Sequence, residues 1–139
     1  MVLDTGPLLA LMDRGDSLQP TIERILRQEP GELLVPAPVS AEVDYLVGQR
    51  LGRRARRAFL SDVARGRFSI VCLDEADYPT LLWYDEQYAA LDIGLADASV
   101  VVIAHRFHTH RIMTIDERHF RTLRPLDGGN FVLLPADLS

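Results

Sequence analysis

The sequence contains no lysine; all fifteen of its basic residues are arginine. A chain without lysine is neither a P-loop NTPase, whose phosphates need the motif lysine, nor a Schiff-base enzyme. The same absence argues against aspartyl-phosphate receivers and haloacid-dehalogenase-like phosphatases, which rely on a lysine to neutralise the phosphoryl group. Cysteine is nearly as scarce. Cys72 stands alone, so neither a disulfide within the chain nor a cysteine-based zinc site can form, and such usage suits a reducing cytosol. Long apolar runs are missing too: the longest strongly apolar stretch, residues 98–104, falls far short of the roughly 20 residues a membrane-spanning helix needs. Asp4 interrupts the segment where a signal peptide would carry its apolar core. These features predict a cytoplasmic protein without a membrane partner.

What is present is a chain of 139 residues, 47% apolar and 25% charged, which predicts one globular domain spanning 1–139 with a core of its own. Twenty acids against fifteen bases give a net charge of −5, which argues against a domain that grips nucleic acid through bulk positive charge. Short β-branched or leucine-rich runs at 2–4, 32–35, 68–73, 111–115 and 130–134 read as five strands. Between them, apolar residues recur at helical spacing in 7–12, 18–28, 39–50, 53–65, 76–90 and 95–106. That alternation predicts an α/β domain, a parallel sheet covered by helices on both faces. Residues 122–129, with Pro125 and the Asp127-Gly128-Gly129 turn, read as an exposed loop.

In an open α/β sheet, ligands bind beyond the carboxyl ends of the strands, so residues just after each strand are the first place to seek chemistry. Asp4 follows the first predicted strand and Asp116 the fourth. Each could serve as the N-cap of the helical turn that follows, but two such aspartates on separate strands weaken the coincidence. Asp97 has Val100, Val101 and Ala104 at i+3, i+4 and i+7, which places its carboxylate beside the face that packs on the sheet. Glu42, with Val39, Tyr45 and Leu46 at neighbour spacings, is a better inward-facing candidate than Asp44. Asp92 reads as a cap or loop residue, or as an auxiliary acid of the site. Four converging acids need their repulsion relieved, and no lysine is there to do it. A hard divalent cation, Mg²⁺ or Mn²⁺, is the economical solution, because it takes carboxylate oxygens and keeps waters for substrate contact. Thr5 and Thr114, next to or near the two strand-end aspartates, could orient a carboxylate or a metal-bound water, or simply suit a strand end.

The segments VLDTGPLLAL, PVSAEVDYLVGQRLG, DIGLADASVVVIAHR and IMTIDERHF, in that order along nearly the whole chain, resemble the PIN-domain family, specifically the VapC-type toxins of bacterial toxin–antitoxin pairs. The resemblance implies an acidic quartet of Asp4, Glu42, Asp97 and Asp116 and a three-layer α/β/α sandwich with strand order 3-2-1-4-5. It further implies metal-dependent hydrolysis of RNA that leaves a 5′-phosphate and a 3′-hydroxyl, a homodimer, and a cognate antitoxin. Within the same fold, a nuclease of RNA processing or a non-catalytic RNA- or protein-binding module are the alternatives.

Other features compete for attention. Arg50, Arg53, Arg54, Arg56 and Arg57 put five guanidinium groups into eight residues opposite an apolar stripe. They could hold RNA phosphates or form a solvated helix face. Arg118, beside Asp116, could touch a phosphate or pair with an acid. The spacing of His105, His108 and His110 invites a zinc reading, but no cysteine or His-Glu-x-x-His pattern supports it. His119 carries no assignment from the sequence. Trp83, Tyr84 and Tyr88 read as core or subunit-contact residues.

Overall fold

The computed structural model describes residues 1–138. Five short strands form one sheet: β1 (Val2–Leu3), β2 (Leu34–Pro36), β3 (Ser69–Val71), β4 (Arg111–Met113) and β5 (Val132–Leu134). All pairings are parallel and the order is β3-β2-β1-β4-β5, as expected from the resemblance. Each strand is shorter than its apolar run suggests, because the flanking residues leave the ladder to form turns or carry side chains of the site. Parallel neighbours need crossovers, and seven helices supply the two outer layers: α1 (Thr5–Met12), α2 (Gln19–Gln28), α3 (Ala37–Leu51), α4 (Arg53–Ala64), α5 (Tyr78–Gln87), α6 (Leu95–Arg106) and α7 (Glu117–Thr122).

The core is built from the central strands and the helices that lie on them. Val2, Leu3, Ile112 and Met113 are fully buried, as expected for strands covered on both faces. Helix α6 packs on β1, β2 and β4, and its residues from Ala98 to Ala104 are all buried. Such a helix, apolar all round, belongs inside the fold, not on its surface. Helix α3 lays Val39, Val43 and Val47 inward at a spacing of four residues.

Several element boundaries differ from the sequence reading. Helix α1 begins at Thr5, two residues early, so Pro7 falls in the first turn, where its missing N–H is not needed. Helix α3 likewise starts at Ala37, with Pro38 in its first turn. The single helix expected over 76–90 is instead a 3₁₀ turn (Glu75–Asp77), helix α5 and a second 3₁₀ turn (Ala89–Leu91). Asp74 and Asp77 form a reciprocal capping box around the first turn, and Tyr88 leaves helical geometry after α5. The loop after α7 is exposed over most of its length, but Leu123 and Pro125 are buried and pin it to the body. No helix among the described residues is long and apolar enough to cross a membrane.

Candidate metal centre

Strands β1 and β4 pair with Leu3 opposite Met113, so the chain leaving each strand arrives at the same edge of the sheet. Asp4 and Asp116 are delivered there. Asp4 precedes α1 but caps none of its amides. Its Oδ2 instead accepts a 2.8 Å hydrogen bond from Thr114 Oγ1. The same hydroxyl accepts the Asp116 N–H at 2.9 Å. A threonine hydroxyl donates and accepts at once, so a single buried group ties the two strand-end acids together. Asp116 does cap: its Oδ1 accepts the His119 N–H at 3.1 Å and sets the start of α7.

Asp97 comes from the first turn of α6. Helices returning over a parallel sheet run against the strands, so their amino termini lie at the strands' carboxyl edge, where the helix dipole favours an acid. Asp97 Oδ2 lies 2.9 Å from Nδ1 of His119, and Asp116 Oδ2 lies 3.0 Å from that same nitrogen. One imidazole nitrogen therefore bridges carboxylates from two different elements.

The electrostatics are those of acids held together without an arginine, with His119 as their one basic neighbour among the described residues. Burial pushes the Asp4 carboxyl from 3.8 up to about 6, the nearby charges of Asp97 and Asp116 add to the rise, and the Thr114 hydroxyl and the Thr5 amide oppose it. Burial also raises Asp97, against the opposing pull of His119. No arginine pairs with Asp4, Asp97 or Asp116 among the described residues. The donor set fits a divalent ion. One ligand atom each from Asp97, Asp116 and His119 lie within 4.8 Å of one another, and Thr5 Oγ1, next in sequence to Asp4, is buried without a hydrogen-bond partner.

Glu42 corrects the sequence reading. It is exposed on α3, because the buried stripe is the valine row 39, 43, 47 and Glu42 sits at its margin. Tyr45, counted as an inward neighbour, is 66% exposed. Asp44 is the less exposed of the two acids and lies 4.0 Å from Arg56. Glu42 nevertheless faces Asp97 across an open cleft of about 530 Å³ lined also by Pro38, Ala41 and Gly94. Asp92 is an exposed cap in left-handed geometry at the end of the second 3₁₀ turn, and no hydrogen bond links it to the cluster.

Arg50, Arg53, Arg54, Arg57 and Arg118 are exposed and make no ion pair among the described residues, whereas Arg56 leans on Gly48 near Asp44. His105, His108 and His110 form no metal-holding group among the described residues: His110 bonds Asp127 at 2.8 Å, and the other two are exposed. Tyr84 is a core residue whose hydroxyl donates to the Arg124 carbonyl at 2.6 Å, and Tyr88 stacks on it. Trp83 remains half exposed. His119 is the site residue that sequence reasoning missed. Its signal was the spacing Asp116-x-x-His119, which places a side chain one turn beyond a capping acid and on the same side.

The PIN-domain family model matches residues 1–124. Ribonuclease VapC26 of Mycobacterium tuberculosis is 36% identical over 135 residues, which cover 97% of this chain and all of the relative. Among solved structures, the M. tuberculosis VapC20 sarcin-ricin-loop-cleaving toxin shares the fold with a TM-score of 0.73 at 17% identity, over 80% of this chain and 85% of that one. VapBC2 of Rickettsia felis, bound to a DNA fragment from its promoter, gives a TM-score of 0.63 at 20% identity over 95% of both chains.

Proposed function

The chain belongs to the PIN-domain family, and from that premise we propose that it is a metal-dependent endoribonuclease, the toxin of a toxin–antitoxin pair. The observation that carries this reading is the meeting of the Asp97 and Asp116 carboxylates at the carboxyl edge of β1 and β4, with Asp4 tied to Asp116 through Thr114 and no neutralising arginine among the described residues. These three acids would hold a Mg²⁺ or Mn²⁺ ion, with Glu42 as a further ligand or water-positioning group across the cleft. When bound, the ion supplies charge neutralisation, Lewis-acid binding of the scissile phosphate and activation of water.

The chain's own groups do the positioning. Thr114 locks Asp4 and the Asp116 backbone into one unit, and the first turn of α6 presents Asp97 to it. Thr5 offers a buried hydroxyl beside Asp4. No histidine or serine nucleophile is needed for hydrolysis that leaves a 5′-phosphate and a 3′-hydroxyl. Arg50, Arg53, Arg54 and Arg57 on α3 and α4, with Arg118 on α7, are exposed arginines without ion pairs among the described residues and would meet RNA phosphates. Asp92 has no assigned part in this mechanism.

The whole chain, 1–139, acts as the catalytic domain in the cytoplasm, partnered by a cognate antitoxin and a second copy of itself. An apolar groove of Tyr78, Leu82 and Leu95 that adjoins the acidic cleft supports protein partners there. The test is cleavage of total RNA by the purified chain with Mg²⁺, with Mn²⁺ and with EDTA, beside Asp97→Asn. Cuts bearing 5′-phosphates that vanish with EDTA and with the variant are expected. Metal-independent cleavage, or full activity in folded Asp97→Asn, contradicts the reading, and RNA binding without cleavage makes the chain a binding module.

A further inference from the structure

His119 brings a nitrogen donor into a set of ligands that otherwise consists of oxygens. Its Nδ1 lies 2.9 Å from Asp97 Oδ2 and 3.0 Å from Asp116 Oδ2, so one atom contacts both acids at once. The imidazole is placed there by the chain. The His119 N–H is held by Asp116 Oδ1, its carbonyl accepts the Leu123 N–H at 2.8 Å, and the next residue, Phe120, is buried in the core. The ring is itself mostly buried, with 17% of its side chain exposed. A side chain fixed on both sides in this way keeps its nitrogen within reach of any ion that Asp97 and Asp116 share.

We propose that His119 Nδ1 is a direct ligand of the divalent ion at this edge, and that it makes the site select Mn²⁺ over Mg²⁺. The proposal rests on the reading of this edge as a divalent-ion site. Carboxylates alone discriminate weakly between the two ions, since both accept hard oxygen donors. Imidazole breaks the tie. Mg²⁺ demands oxygen, holds its waters tightly and gains little from a nitrogen, whereas Mn²⁺, a transition-metal ion, accepts one readily. Ligation through Nδ1 uses the tautomer with its proton on Nε2. The competing role is that of an outer group, in which Nδ1–H orients the two carboxylates while they alone hold the ion.

Pulsed EPR of the purified full-length chain, stripped with EDTA and loaded with less than one equivalent of Mn²⁺, separates these roles. Direct ligation predicts ¹⁴N coupling of a bound imidazole in the wild type, lost in His119→Gln and kept in His110→Ala at the opposite end of β4. His119→Gln is expected to weaken Mn²⁺ binding at least about tenfold and Mg²⁺ binding by less than about threefold, both followed by calorimetry. The wild-type spectrum needs no variant, so a folding defect in His119→Gln does not blunt the test. Mn²⁺ that binds without ¹⁴N coupling, yet is lost in Asp97→Asn, overturns the proposal and leaves the nuclease reading standing. Coupling that persists in His119→Gln overturns it as well. Failure of Mn²⁺ to bind overturns both.

Discussion

Replacing Asp4 with asparagine should stabilise the metal-free protein while removing a proposed ligand. Asp4 is 5% exposed, and burial lifts its carboxyl from 3.8 to about 6. Holding it ionised in the fold at neutral pH therefore costs about 3 kcal/mol. Because the folded value lies above the unfolded one, native Asp4 keeps a proton that the unfolded chain has released in the interval between them. The associated stability is complete below about pH 4 and is lost as the pH rises through about 6. Asparagine keeps the shape and an oxygen for the Thr114 hydroxyl, and the stronger bond that hydroxyl gives an ionised carboxylate is already contained in the cost of holding Asp4 ionised. The expected gain at pH 7.5 is therefore about 3 kcal/mol, equivalent to roughly 9 °C in Tm for a chain of this size. Thermal unfolding of both proteins in EDTA from pH 4 to 8 measures this directly. The difference should shrink towards zero near pH 4, and saturating Mn²⁺ should reverse its sign by stabilising only the wild type. Asp97 is raised in the same direction, and because its charge adds to the rise at Asp4 the difference between the two proteins reports the coupled pair. A variant less stable than wild type in EDTA at pH 7.5, or a difference independent of pH, would refute the reasoning.

A Cβ on Gly6 would meet Ile115 Cγ1 at 2.6 Å, so Gly6→Ala must displace the residue between Thr114 and Asp116. A loss of about 1 kcal/mol in urea unfolding is expected, recovered in the Gly6→Ala/Ile115→Ala double variant. Tyr84→Phe leaves the Arg124 carbonyl without its 2.6 Å donor and should cost about 1–2 kcal/mol, read from the urea midpoint, with RNA cleavage unchanged. The triple change Arg53→Ala, Arg54→Ala and Arg57→Ala should weaken RNA binding and flatten its dependence on salt, by about 0.7 in log–log slope for each phosphate no longer neutralised. An unaltered slope would identify that row as a solvated helix face.

The sheet and most helices were legible because a parallel sheet covered on both faces leaves a plain signal, short apolar runs alternating with helical spacing. Pro79 and the Asp74–Asp77 capping box broke the stretch over 76–90, a local turn chemistry that apolar spacing does not register. At the site, Asp4 and Asp116 were found by their place after strands and Asp97 by its neighbours on α6. Apolar spacing points Glu42 inward only if Tyr45, which is exposed, counts as a core neighbour. An aromatic ring at helical spacing carries no information about which side of the stripe it occupies. His119 escaped because its role depends on Asp97, twenty-two residues away in sequence and joined to it only by the fold. The charge balance also takes on a sharper sense. With Asp4, Glu42, Asp97 and Asp116 set aside, sixteen acids face fifteen arginines, so the net acidity of the chain is largely that of the proposed site.

Locating Mn²⁺ by anomalous diffraction from crystals of the full chain tests most directly whether the carboxyl-edge acids form the ion centre of a nuclease. One anomalous peak in contact with carboxylate oxygens of Asp4, Asp97 and Asp116, absent in Asp97→Asn crystals grown in the same Mn²⁺, is the predicted result. Peaks confined to surface acids such as Asp127, with the Asp97–His119–Asp116 bridge intact at saturating Mn²⁺, would contradict it.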